Sequence, residues 1–157
     1  YLQAIAGKTA ALYATSCRIG GLVAGADRGV VDRLTEFGHA YGMAFQVVDD
    51  ILDLVASDEE LGKPSGNDLR AGVYTLTVIR LVASVDPLTA LLGQPLDEET
   101  RDKARRAVVD GTEIATSKVT AEGFVGDAVK ALDALPDTPG VLGMRDAATN
   151  LLSTLDR

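Results

Sequence analysis

Apolar residues along this chain recur every three or four positions, and strict alternation is scarce, so the pattern predicts helices and no convincing strand. A first helix is expected from about Tyr1 to Gly25, with Leu2, Ile5, Leu12, Ile19 and Leu22 at the apolar positions and small residues between them that allow close packing. "GADRG" ends it. A second helix is predicted from about Val30 to Ser57, long enough at about 1.5 Å per residue to cross a whole domain. Gly38 and Gly42 inside it cost helix propensity, and their four-residue spacing points to tight helix contact rather than to ligand approach. The segment "SDEELGKPSGNDLRAG" reads as a loop, with Asn67 or Asp68 capping the next helix. Further helices are expected over about Leu69 to Val85, from near Asp97 with glycine interruptions to about Leu135, and from about Val141 to Leu155. The expected fold class is therefore all-α, in one domain, and no internal repeat or low-complexity tract appears.

One stretch breaks the apolar pattern from within. In "FQVVDDILDL", Gln46, Asp49, Asp50 and Asp53 stand at i, i+3, i+4 and i+7, which places them on one face of a helix. Phe45, Val47, Val48, Ile51, Leu52 and Leu54 cover the rest of the circumference, so the helix is expected to be buried and the stripe to face a cavity. Three carboxylates within two turns repel one another unless a cation neutralises them. Mg2+ suits such oxygen ligands and keeps water and substrate phosphates in its shell. The bland alternative is a solvated acidic face, and the apolar surround argues against it.

Composition narrows the field. Hydrophobic residues make up 46% and charged residues 24% of the 157 residues, which fits a folded globular chain. No apolar run reaches the ~18 to 20 residues of a membrane span, so no transmembrane helix is expected. A net charge of −8 weighs against a nucleic-acid surface, so no nucleic-acid partner is expected and any phosphate binding is local. The lone Cys17 cannot form an internal disulfide and reads as a small core residue in a reducing compartment, taken as the cytoplasm. The opening "YLQAIAGKTAALYATS" has no initiator Met and no secretory signal, and it reads as cut from something longer.

Opposite charge for the stripe comes from Lys63, between Gly62 and Pro64, and from Lys8 beside Thr9, which among the small apolar residues of the first helix reads as a buried cation. Each alone is weak evidence, but carboxylates for a metal together with lysines describe a site for a diphosphate ester. His39 reads as a packed or surface residue rather than a general base, and Phe37, Tyr13 and Tyr41 as core packing rather than the lining of an apolar tunnel.

At these residues the chain resembles the trans-isoprenyl diphosphate synthases, the polyprenyl synthetase family. "GKTAALYATSC" looks like that family's Lys-Thr helix, "FQVVDDILD" like its second aspartate-rich motif and "LGKPSGNDLRAGVYTL" like the segment after it. "ALDALPDTPG" and the closing leucines are similar to its last two helices. The resemblance covers the C-terminal half of such a protein and implies the C-terminal portion of a single isoprenoid-synthase helical bundle over residues 1–157, with the N-terminal half absent. It also implies a prenyltransferase that condenses isopentenyl diphosphate with an allylic diphosphate to give an all-trans polyprenyl diphosphate, and a homodimer. By the same resemblance Asp49 and Asp53 would help hold Mg2+ with Asp50 in support, Lys8 and Lys63 would contact the allylic diphosphate, and Thr9 and Gln46 would lie beside the reaction centre. One departure stands out: in "GVYTLT", Val73 takes the place of a family lysine and Thr77 that of a proline. A degenerate, non-catalytic or regulatory helical subunit is therefore a rival reading, and a class I terpene cyclase is a third.

Overall fold

The computed structural model describes residues 1–57, 65–84 and 97–156, and among them every regular element is a helix. We number the α-helices α1 (Leu2–Ile5), α2 (Ala11–Val23), α3 (Arg28–Val55), α4 (Asn67–Arg70), α5 (Leu76–Ser84), α6 (Glu98–Val109), α7 (Glu113–Ala131) and α8 (Pro139–Ser153). A 3-10 turn, Thr154–Asp156, follows α8. The chain divides into two units, one formed by Tyr1–Val48 with Thr120–Arg157 and the other by Asp49–Val119.

In the first unit, α3 presents Phe37, Ala40 and Ala44 to Val125, Ala128, Ala131 and Leu132 of α7 and to Val141 and Ala148 of α8, with Leu135 between the last two helices. These side chains recur at three- and four-residue steps, which is why a chain so poor in aromatics can still close a core. The glycines of α3 do what their spacing predicts. A Cβ on Gly38 would stand 2.6 Å from the Tyr13 carbonyl oxygen and 2.9 Å from Ala14 Cα, and one on Gly42 would stand 2.7 Å from Ala10 Cα. α2 therefore lies against α3 at a distance that only glycine permits. Beside this contact Phe37, Tyr41 and Phe45 line up along α3, with ring centroids 5.7 and 6.5 Å apart, and Tyr13 packs 5.4 Å from both Tyr41 and Phe45. α8 begins where Thr138 caps it, its hydroxyl accepting from the Val141 N–H at 3.3 Å, with Pro139 in the first turn. Arg145 then ties α8 to the end of α7 through the Leu132 carbonyl and the Asp133 carboxylate.

The second unit closes around Leu54, Leu69, Val78, Leu81, Ala104 and Val108. Beside that cluster Thr77 donates to Ser117 Oγ at 3.0 Å, and Arg80 Nη1 donates to the same oxygen at 3.3 Å. Ser117 is wholly buried, so this pair of bonds satisfies a hydroxyl that would otherwise be costly to bury.

Three expected boundaries are corrected. The first helix is interrupted by a single π turn over Ala6–Ala10 and ends at Val23, with Gly25 in the left-handed region at φ 68°. The helix expected from Leu69 is two elements: α4 stops at Arg70, Gly72 follows at φ 74°, and α5 starts only at Leu76. The N-cap of α4 is Gly66 at φ 67°, so Asn67 and Asp68 lie inside its first turn instead of capping it. The helix expected to start near Asp97 does so, and the structure adds that Asp97 caps α6, accepting from the Thr100 N–H at 2.8 Å.

Candidate active site

The π turn falls on Gly7, Lys8 and Thr9. Such a turn admits one extra residue into the helical ladder and shifts the faces beyond it, and π turns recur at functional positions. Here Thr9 meets α3, where its hydroxyl donates to Gln46 Oε1 at 2.6 Å, while Lys8, expected to be buried, stands exposed beside it. The bond engages the amide oxygen, so the end of Gln46 beyond it is the NH2 donor. Residues 37 positions apart, singled out on separate grounds, are thus one hydrogen-bonded pair in the first unit.

α3 runs unbroken from Arg28 to Val55, so the spacing of Gln46, Asp49, Asp50 and Asp53 is realised along a single helix. The three acids are not equivalent. Asp49 is exposed, whereas Asp50 is 5% and Asp53 3% exposed. Asp53 Oδ2 accepts from the Asp68 N–H at 3.2 Å, and its backbone carbonyl accepts from the Gly66 N–H at 2.7 Å. A carboxylate delivered from α3 therefore does for α4 what a cap residue of its own would do, placing negative charge on one of its orphan N–H groups, that of Asp68. This gives Asp53 a structural role that the stripe alone did not reveal.

Among the described residues no three or more His, Cys, Asp or Glu side chains gather into a group that could hold an ion. The donor set nonetheless fits Mg2+, which is commonly bound through one or two carboxylates together with water and substrate phosphate. Asp49 offers such a carboxylate, and the buried Asp50 and Asp53 stand behind it on the same helix. Lys63 lies outside the described residues. Val73 is 52% exposed, and its N–H donates to the Asp68 carbonyl at 2.8 Å. No core contact dictates valine there.

His39 is exposed and borders a cavity of about 570 Å³ in the first unit with Arg33, Glu36, Asp127 and Lys130. Cys17 is half-buried against the first core, and burial pushes its thiol up. Both agree with a surface histidine and an unreactive packing thiol. Sequence reasoning missed Phe45 as a member of the aromatic row and Arg105, which reaches the end of α3 from α6. The i+4 step from Tyr41 could have revealed Phe45; nothing in "RDKARRAVV" separates Arg105 from a solvated charged face.

Over residues 1–110 the chain matches the family model for polyprenyl synthetase. It is 35% identical over 153 residues to a probable mitochondrial hexaprenyl pyrophosphate synthase of Neurospora crassa, covering 97% of this chain and 34% of that protein. It is 38% identical over 150 residues to heptaprenyl diphosphate synthase component 2 of Geobacillus stearothermophilus, covering 94% and 47%. Among solved structures, heptaprenyl diphosphate synthase from Staphylococcus aureus superposes with a TM-score of 0.92 at 26% identity, over 98% of this chain and 49% of that one. Geranylgeranyl pyrophosphate synthase from Corynebacterium glutamicum, complexed with calcium and isoprenyl diphosphate, does so with a TM-score of 0.88 at 33% identity, over the same shares. The chain thus spans between a third and a half of the length of these relatives.

Proposed function

The chain belongs to the polyprenyl synthetase family, and from that premise we propose that it forms part of a Mg2+-dependent prenyltransferase that joins isopentenyl diphosphate to an allylic diphosphate. The product would be an all-trans polyprenyl diphosphate. The single observation that carries this reading is the Thr9–Gln46 hydrogen bond, set beside Lys8 and three residues before the acid run on the same helix. A relative complexed with calcium and isoprenyl diphosphate supports the ligand class. The relatives named above are all prenyl diphosphate synthases, and none is a terpene cyclase.

In the reaction the C1–O bond of the allylic substrate breaks, a bond forms from that carbon to C4 of isopentenyl diphosphate, and the proton lost goes to the leaving diphosphate. Asp49, with Asp50 and Asp53 in support, would hold Mg2+, which would supply positive charge for a departing diphosphate. The family resemblance assigns Lys8 and Lys63 to the diphosphate, each as a charge-assisted donor. Thr9 fixes the Gln46 amide so that its donor end, not its oxygen, faces onward. No side chain here acts as a covalent nucleophile. The homodimer belongs to the same proposal and is read by light scattering. Among the described residues no helix is long and apolar enough to cross a membrane.

A test is incorporation of radiolabelled isopentenyl diphosphate onto allylic primers of several lengths, in the context of a complete family domain. Asp49→Ala should lower incorporation by about 10²-fold or more, the loss expected when charge stabilisation of a leaving group is removed. Equal incorporation by variant and wild type would sink the metal assignment. The second reading, a non-catalytic subunit, is favoured by one observation only, the apolar Val73 at an exposed position where the family has lysine.

A further inference from the structure

The residue that fastens the end of the acid-bearing helix is not among those assigned to the site. Arg105 donates from Nε to the Leu54 carbonyl at 2.6 Å and from Nη2 to the Ala56 carbonyl at 3.0 Å. Both acceptors lie at the C-terminal end of α3, where helix carbonyls lack intrahelical partners and the helix dipole is negative. The same α6 grips α3 a second way. Leu54 is buried in one cluster with Ala104 and Val108, the neighbours of Arg105 on its helix. One residue earlier, Asp53 is tied to Gly66 and Asp68. The last turn of α3 is thus held by a guanidinium fork and by two backbone N–H groups.

We propose that Arg105 is a positioning residue for Asp49, Asp50 and Asp53. By fixing two carbonyls at the helix end it sets how the final turns of α3 present the Asp49 carboxylate, and it brings a cation to a segment that carries three acids. Arginine suits the task because its planar fork reaches two carbonyls at once, whereas a lysine ammonium on a flexible stem does not hold that geometry. A displacement of about 1 Å at such a site is enough to cost roughly 10²-fold in rate. The inference rests on the functional reading above.

The test is calorimetric titration of the complete protein with Mg2+ and inorganic diphosphate, alongside thermal unfolding, for wild type, R105A, R105K and D49N. R105A should weaken binding about tenfold, and R105K should recover part of that loss. Added methylguanidine should recover more in R105A. In steady-state assays the KM for the allylic diphosphate should rise while that for isopentenyl diphosphate holds. If D49N loses binding but R105A binds as wild type does, whatever its unfolding temperature, this inference alone is overturned. If wild type binds no magnesium diphosphate, or D49N binds like wild type, the functional reading fails first and takes this one with it. Should R105A not fold, R105K against wild type carries the comparison.

Discussion

Gly38 shows how a single hydrogen atom sets a helix contact. Its missing Cβ would meet the backbone of Tyr13 and Ala14, which cannot swing aside as a side-chain tip would. Gly38→Ala gains helix propensity of about 1 kcal/mol yet forces α2 and α3 apart. Set against an overpacking cost of about 1–3 kcal/mol, the expected net is a loss of up to about 2 kcal/mol, read from the urea midpoint at unchanged slope. Val73 poses the opposite case. At 52% exposure it packs against little, so Val73→Lys should leave stability within about 0.5 kcal/mol. If the position faces diphosphate, the restored cation should raise the apparent affinity for the allylic substrate roughly tenfold or more, the worth of a charged hydrogen bond. No change in either binding or turnover would place Val73 outside the site and remove the argument for a degenerate subunit.

At the scale of elements, the helix ends are where charge and hydrogen bonding decide the structure. Asp97 caps α6, and the bonds it accepts from Thr100, from the side chain first and then the backbone, hold its carboxyl below the usual carboxylate range. Its folded value is depressed, so its contribution is present above the unfolded carboxylate range and is lost as pH falls through the folded value. Thermal unfolding of wild type and Asp97→Ala should therefore differ at neutral pH and converge in acid. Asp97→Asn, which caps without titrating, should show no such convergence. A pH-independent gap for Asp97→Ala would refute the assignment. α4 is built by the other route: four residues long, it takes its N-terminal anion from Asp53 on α3, which is why reading Asn67 and Asp68 as its caps fails.

At the scale of the molecule, the relatives are two to three times as long as this chain, so the condensation is expected only when the chain is part of a complete family domain. The 157-residue chain assayed alone should incorporate no labelled isopentenyl diphosphate, and turnover by it alone would show that the site needs nothing further. How much of this was legible beforehand depends on the range over which each feature is set. Helix type, the start of a helix near Asp97 and the polar stripe depend on neighbours within a turn or two, and periodicity reports such neighbours directly; the spacing of Gly38 and Gly42 announced a tight contact but not its partners. The pairing of Thr9 with Gln46, the burial of Asp53 against Asp68, the wholly buried Ser117 and the reach of Arg105 to the Leu54 carbonyl join residues 15 to 51 positions apart. No local pattern encodes them, since a threonine, a serine or an arginine reads alike on a solvated face and at a buried junction. The sequence by itself determined that the chain is helical and which residue types sit on the acidic stripe, while the π turn at Ala6–Ala10 and the break at Gly72 were not in the periodicity. Only the tertiary structure decided which of those side chains meet, because their partners arrive from elsewhere in the chain and burial, not propensity, makes each bond matter.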